Sequence, residues 1–364
     1  MSEPDIIKHM RIRYIKLHFE LEMLEGGHLP RNKASMLRGG MGQMLLMTNC
    51  IRDEKCDACD FYGECLVQRM MYPRMKIRPS FMTQKDSEGY VLECENTDED
   101  FYEGDLLEFN LILFGDSIVY FNQFLQAFHA LGMRGLGREH LRFRISRVTN
   151  TNRELLLADG ILYKEHYQIR QVGDYVKYRL RSFERVRRSL AYGSQAAEND
   201  RNMYGGKGQP LDGSRQASGE SQQPHGEMID VQLIFHSPLS LKYKGEFQNT
   251  LDPLPVLAAA ERRLYIMNCY EGFGEMEDSR RISLVDEHVP QKIDEKSYVE
   301  KVKRYSGTHD AKMVLSGLKG SCRLSGVDQT ALALLLAGEL MHIGKNTSFG
   351  FGRYTVRELP RDEQ

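Results

Sequence analysis

Residues 328–357 decide the fold: Asp328-Gln-Thr-Ala-Leu-Ala-Leu-Leu-Leu-Ala-Gly-Glu-Leu-Met-His342, then Ile343-Gly-Lys-Asn-Thr-Ser-Phe-Gly-Phe-Gly-Arg353, then Tyr354-Thr-Val-Arg357. Leu332, Leu335, Leu336 and Leu340 recur at helical spacing behind Asp328, a residue that caps helix N-termini. Gly344, Gly350 and Gly352 break the periodicity, and Tyr354 and Val356 then alternate with Arg353, Thr355 and Arg357 as a strand does. The reading is amphipathic helix, glycine-rich loop, strand. Glycines let a backbone approach a ligand closely. Lys345 and Arg353 offer charge for phosphates, and Phe349, Phe351 and Tyr354 offer flat faces for bases. The plainer reading of the same residues is a helix C-cap followed by an ordinary core strand.

A second copy favours the first reading. Residues 132–145 contain Gly135-Leu136-Gly137-Arg138, which aligns with Gly350-Phe351-Gly352-Arg353. They too follow a helix, with Phe121, Phe124, Leu125 and Phe128 on one face, and run into an alternating strand. Two such units point to a duplicated domain.

The remaining chain fits that duplication. Ile15, Leu17, Phe19, Leu21 and Met23 alternate with Lys16, His18, Glu20 and Glu22 as a half-buried strand. A helix capped by Asn32 follows, and residues 106–113 form another strand. The pattern restarts at Val231, Leu233 and Phe235. Asp252-Pro253 opens a helix, and 312–324 read as a strand pair that bends at Gly317 and Gly320. The expected class is α+β, with two tandem ferredoxin-like βαββαβ domains of the RNA-recognition type and a Cys-rich loop inserted in the first. The expected boundaries are 1–190 and 228–364. Residues 191–227, poor in apolar residues and rich in Gly, Ser, Gln and Asn, are read as a flexible linker.

At 364 residues the chain can bury two cores. Apolar content of 41% and charged content of 27% are ordinary for a globular protein, and a net charge of −2 excludes a uniformly basic one. Any nucleic-acid affinity must come from patches. Arg138, Arg142, Arg144 and Arg147 form one run, and Lys177, Arg179, Arg181, Arg185, Arg187 and Arg188 another; the plainer reading of each is an ion-paired, solvated face. No apolar run is long enough to span a membrane and no signal peptide opens the sequence, so the expected compartment is the cytoplasm. Cysteines there stay reduced. Cys50, Cys56, Cys59 and Cys65 fall within sixteen residues as C-x5-C-x2-C-x5-C. Four thiolates can enclose zinc in a structural site, and an iron–sulfur cluster is the alternative.

These residues together resemble a known family. Leu37-Arg38-Gly39-Gly40-Met41-Gly42, the cysteine loop after it, His236-Ser237-Pro238-Leu239-Ser240-Leu241-Lys242, and Gly338 through Tyr354 are similar to segments of the CRISPR-associated endoribonuclease that processes precursor CRISPR RNA. That enzyme is a member of the repeat-associated mysterious protein (RAMP) superfamily. Ser237 stands where threonine is usual, and Asn346 and Ser348 also depart from the pattern. The resemblance implies two ferredoxin-like domains and metal-independent cleavage within CRISPR repeat RNA. A non-cleaving RNA-binding RAMP subunit of a CRISPR effector complex is the alternative, since fold does not fix function; effector subunits would then be partners beside the RNA.

Cutting RNA without a metal uses the 2′-hydroxyl as nucleophile, leaving 2′,3′-cyclic phosphate and 5′-hydroxyl ends. It needs a general base, a general acid and a cation for the phosphate oxygens. Histidine suits the first two roles near neutral pH, and lysine or arginine the third. His342 and Lys345 are the first candidates. His28, just before the Leu-Arg-Gly helix, is their rival, followed by His18. His342 has a second reading as a helix-capping histidine. Gly344, Ser348, Phe349, Gly350, Gly352, Arg353, Arg138, Arg142 and Arg38 are the expected RNA contacts, with His140 and Tyr14 as weaker candidates.

Overall fold

The computed structural model describes residues 4–52, 54, 56–72, 74–79, 89–185, 228–273, 289–306 and 311–359. The 191–227 segment, with His225, lies outside them, as do Arg187 and Arg188. The first βαββαβ set comprises β1 (Arg13–Met23), α1 (Lys33–Asn49), β2 (Tyr90–Glu93), β3 (Leu106–Phe114), α2 (Phe121–Arg134) and β4 (Phe143–Thr149). The second comprises β5 (Ile229–Leu239), α3 (Pro253–Glu271), β6 (Gln291–Ser306), β7 (Ala311–Val327), α4 (Gln329–Met341) and β8 (Tyr354–Glu358). Strand order is β2-β3-β1-β4 in one sheet and β6-β7-β5-β8 in the other, with every one of these pairs antiparallel. Both halves are therefore ferredoxin-like. The first sheet also carries short extra strands beyond β4, and a helix over 172–185 follows them.

Alternation in β1 buries Ile15, Leu17, Phe19, Leu21 and Met23 and leaves Lys16, His18 and Glu22 half-buried on the other face. Phe19 stacks on Phe109 with centroids 4.7 Å apart, and Phe128 of α2 tilts against both. The Asp328 carboxylate accepts the Ala331 N–H at 2.7 Å, the cap its sequence position implies.

Two elements differ from expectation. Residues 312–324 are not a strand pair but lie within the single strand β7, whose partner is the upstream β6. Gly317 and Gly320 serve close approach rather than bends. A Cβ on Gly317 would stand 2.7 Å from the Leu239 carbonyl carbon, and one on Gly320 would stand 2.0 Å from the Lys296 oxygen. Nor is α4 amphipathic: every residue from Ala331 to Met341 is buried. One hydrophobic cluster explains this. It joins α4, α3 and the second sheet to Ile6, Ile7, Met10, Ile12, Tyr14, Val91, Ile112 and Phe114 of the first half. The helix has its own sheet on one side and the first domain on the other, so it needs apolar residues all round.

Candidate active site

The second glycine-rich loop is seated on the first domain. Gly350 has φ +83°, and a Cβ there would stand 2.5 Å from the Ala34 Cβ of α1 and 3.0 Å from the Leu92 oxygen of β2. Thr347, Ser348, Gly350, Phe351 and Gly352 are buried. The Arg38 guanidinium lies over the Phe349 ring, 4.2 Å from its centroid, and sits against Tyr72 and Tyr90. Gly350, Phe349 and Arg38 thus join the two domains, while Gly352 packs on the Ile343 backbone and Gly344 on Ser240, both of the second domain. Ser348, Gly350, Gly352 and Arg38, expected as RNA contacts, are taken up by this packing. Gly344 and Phe349 are half-buried, and Lys345 is exposed.

His342 belongs to the same joint. Its ring is fully buried, with Nδ1 3.0 Å from the Phe351 oxygen and Nε2 3.1 Å from Glu93 Oε1. Both partners are acceptors, so a neutral ring donates to one of them and only the imidazolium donates to both. Burial works against that charge and holds the pKa below its ordinary value, with the Glu93 hydrogen bond opposing. Glu93 is the hub. Lys16 Nζ lies 2.7 Å from its Oε2, Asn110 donates to the same oxygen at 2.9 Å, and Arg353 Nε stands 3.6 Å from Oε1. Burial alone would raise this carboxyl, but Lys16, His342 and Arg353 outweigh it and hold it well below the ordinary carboxylate range. Arg353 also pairs with Glu95. His342 stands at the C-cap of α4, but its ring meets the Phe351 oxygen and Glu93 rather than a helix-terminal carbonyl, so its role is a tie between the domains. A ring without solvent access cannot exchange protons with a bound RNA, so the expectation of catalysis at His342 is corrected. Lys345 points away from it, toward the Phe247 ring, so the two do not meet at one phosphate.

His28 is placed differently. It lies on a two-residue strand, Gly27–His28, paired with Asp100–Phe101, and its side chain is 55% exposed. Nδ1 is 3.2 Å from Asp100 Oδ1, which orients the ring, and Nε2 is 3.9 Å from Glu99 Oε1. The first glycine-rich loop lies beside it. Leu136 and Leu141 exchange both backbone hydrogen bonds and close the loop, and Gly135 (φ +92°) leaves no room for a Cβ against the His140 carbonyl. A Cβ on Gly137 would stand 3.0 Å from Leu29 Cδ2 and 3.8 Å from the His28 oxygen. The segment from His28 to Arg38 is therefore flanked by both glycine-rich loops, one from each domain. Arg138, next to Gly137, is exposed, as is His140.

The first basic run is mostly paired. Arg142 faces Glu25 (3.3 Å), Arg144 faces Glu22 (2.8 Å) and Arg147 faces Glu20 (2.5 Å). Arg142 is thus part of an ion-paired face rather than an open RNA contact. In the second run, Arg179 is tied to Glu339 and Tyr175. Tyr14 is buried, and desolvation pushes its hydroxyl up to about 12.

Cys50, Cys56, Cys59 and Cys65 line one pocket with Leu46, Tyr62 and Gln68. Burial first, and then the other three thiols, raise the Cys56 pKa. Four thiols are a donor set that suits zinc. The sulfurs stand wider apart than ligation requires, since the one His/Cys/Asp/Glu group among the described residues with all donor atoms within 4.8 Å is His18, Glu20 and Glu108. Arg147 already neutralises Glu20 in that group. Sequence reasoning passed over Glu93, which carries no local signal. It also passed over His236, which heads a quoted motif and sits half-buried with Nε2 3.0 Å from Thr355 Oγ1.

Residues 233–354 match the family model of the CRISPR-associated endoribonuclease Cas6, and residues 12–173 match a model described as an N-terminal domain. No curated protein matches by sequence. Among solved structures, a partial Cas6-RT-Cas1–Cas2 complex aligns at 14% identity and a TM-score of 0.52, covering 96% of this chain and 47% of that one. A second Cas6-RT-Cas1–Cas2 complex gives the same identity and TM-score over 29% of its chain. Thermus thermophilus Cas6 aligns at 11% identity and a TM-score of 0.47, covering 95% of this chain and 99% of that one. The chain thus spans less than half the length of the first two. Among the described residues, no helix is long and apolar enough to cross a membrane.

Proposed function

We propose that this chain, a Cas6-type RAMP protein by the match of residues 233–354, is an endoribonuclease that cuts precursor CRISPR RNA within its repeats. The observation that carries the reading is that match, on a fold in which both glycine-rich loops flank one segment, His28–Arg38. Cleavage proceeds without a metal. The substrate's 2′-hydroxyl attacks the adjacent phosphorus, the bond to the 5′-oxygen breaks, and 2′,3′-cyclic phosphate and 5′-hydroxyl ends result. His28 carries the proton transfer in this reading: it is exposed, Asp100 on Nδ1 orients its ring, and Nε2 stands 3.9 Å from Glu99 Oε1, beyond hydrogen-bond distance. Arg138 supplies positive charge beside it. Zinc, held by Cys50, Cys56, Cys59 and Cys65, would pin the loop after α1 and take no part in the chemistry, because a four-thiolate site has no open position.

The test is cleavage of end-labelled repeat RNA in EDTA. Wild type should cut. His28→Ala should bind RNA as before while cutting about a hundredfold more slowly or worse, the usual weight of general acid–base catalysis. His342→Ala should mainly lose thermal stability. Unchanged cleavage by His28→Ala would remove His28 from the mechanism. Wild type that binds and never cuts would favour an RNA-holding subunit of an effector complex.

A further inference from the structure

The motif His236–Lys242 runs into a small hairpin that the proposed chemistry does not use. Lys242–Tyr243 pair with Glu246–Phe247, and the turn between them is Lys244-Gly245. Both turn residues have positive φ, +47° and +89°, the conformation of a two-residue type I′ turn. Asparagine or aspartate is the usual first residue there, and a lysine in the left-handed region is strained. Folding alone therefore does not favour Lys244.

The surface of this hairpin is unusual in composition. Phe247 is 65% exposed. The Lys242 ammonium lies 5.7 Å from the centre of its ring, and the Lys345 ammonium, from the second glycine-rich loop, lies 6.0 Å from the same centre. Lys244 stands 5.4 Å from the centre of the half-buried Tyr243 ring. The hairpin is fixed to that loop: the Lys345 N–H donates to the Ser240 oxygen at 2.9 Å. Gly344 makes this possible, since a Cβ there would stand 2.8 Å from the Ser240 oxygen. Two exposed lysines and two aromatic rings thus share the hairpin with a single carboxylate, Glu246, and the exposed Lys345 joins them from the adjoining loop. An exposed cation–π contact is too weak to account for keeping a large aromatic in water. A flat ring flanked by ammonium groups matches an unpaired nucleotide, with its base on the ring and its phosphates on the lysines.

We infer that the Lys242–Phe247 hairpin, together with Lys345, is a stacking subsite for an unpaired nucleotide of single-stranded RNA, with Phe247 as the platform. It deepens the proposed function by placing a single-stranded segment of the substrate next to the glycine-rich loop. The subsite sits on the second domain, outside the His28 segment, so it contributes to binding and not to proton transfer.

The experiment uses the full chain and fluorescence anisotropy with a labelled, unstructured single-stranded RNA and a fully paired RNA duplex of equal length. Phe247→Ala should weaken single-strand binding about tenfold or more, and Phe247→Trp should retain it. Lys242→Gln should lower the slope of log affinity against log salt by roughly 0.7, one phosphate contact on a single strand. Duplex binding should change less than twofold in Phe247→Ala. The side chain is exposed, so the melting temperature should hold and serves as the folding control. Single-strand binding by Phe247→Ala within twofold of wild type would overturn the inference, as would an equal loss on the duplex. If wild type never cuts repeat RNA yet Phe247→Ala loses single-strand binding, the nuclease reading fails and the subsite stands. If wild type cuts and Phe247→Ala binds and cuts equally well, the reverse holds.

Discussion

Glu93 shows how far a single residue can sit from what its sequence neighbourhood announces. Its partner His342 is 249 residues away in the chain, so no local pattern links them. A histidine at the end of a helix is equally compatible with catalysis and with capping when only its neighbours are known. The deciding facts are full burial and two acceptors at hydrogen-bond distance, and both depend on the other domain. The carboxylate has a testable pH signature. Its folded pKa lies well below the ordinary carboxylate range, so it contributes stability that is present above that range and is lost as pH falls toward the folded pKa. Glu93→Gln should therefore destabilise the protein at neutral pH by roughly 3–5 kcal/mol, the cost of breaking a buried charge cluster from one side. Urea titrations should show the gap between variant and wild type closing as pH drops below the ordinary carboxylate range. A gap that stays constant across that range would mean Glu93 is not held ionised by Lys16, His342 and Arg353.

At the scale of elements, periodicity carried most of the fold. The alternation in β1, the Asp328 cap and the repeated helix–loop–strand unit were readable because each reflects a strictly local rule. Tertiary contact overrides such rules in α4 and in the second glycine-rich loop. Leu332, Leu335, Leu336 and Leu340 mark one face of α4, but Ala333, Leu334, Ala337 and Met341 are buried as well, and that second face signals a neighbour beyond the helix's own sheet. The glycines of the second loop looked like a cradle for RNA, but at Gly350 the backbone that comes close is α1 and β2 of the same chain. Spacing signals close approach without naming what approaches. The cysteine loop is the element whose reading a simple measurement decides. Purified protein should carry about one zinc per chain by elemental analysis, and Cys56→Ser together with Cys59→Ser should lose it, because removing half of a four-thiolate set leaves too few ligands. The loss should lower the melting temperature while leaving cleavage in EDTA measurable. Wild-type protein without zinc or iron would exclude a metal role for Cys50, Cys56, Cys59 and Cys65.

The whole molecule follows from how the two ferredoxin-like sets are joined. One hydrophobic cluster takes in α4, α3, the second sheet and residues of the first domain from Ile6 to Phe114. Polar ties reinforce it: Arg13 to Glu271 at 2.7 Å, Glu93 to His342 at 3.1 Å, and the Ser117 and Tyr270 hydroxyls 2.9 Å apart. If the first domain unfolded alone, the outer face of α4 would meet water, and Glu271 and His342 would lose Arg13 and Glu93. Exposed apolar area costs about 25 cal/mol per Å², so a half-unfolded state with a bare leucine-rich helix is strongly disfavoured. The protein should therefore unfold in one cooperative step despite its duplicated architecture. In calorimetry, the measured enthalpy should equal the van't Hoff enthalpy. Tyrosine fluorescence and far-ultraviolet circular dichroism should give coincident midpoints. The first domain also has a core of its own, from Ile15, Leu17 and Phe19 to Phe143 and Val148; two resolved transitions would show that this core melts independently and that the burial of α4 contributes little to coupling the domains. The functional consequence is rigidity. With Gly137 packed on Leu29 and Gly350 on Ala34, the proposed site around His28 would be formed before RNA arrives, and binding energy would not be spent on bringing the domains together.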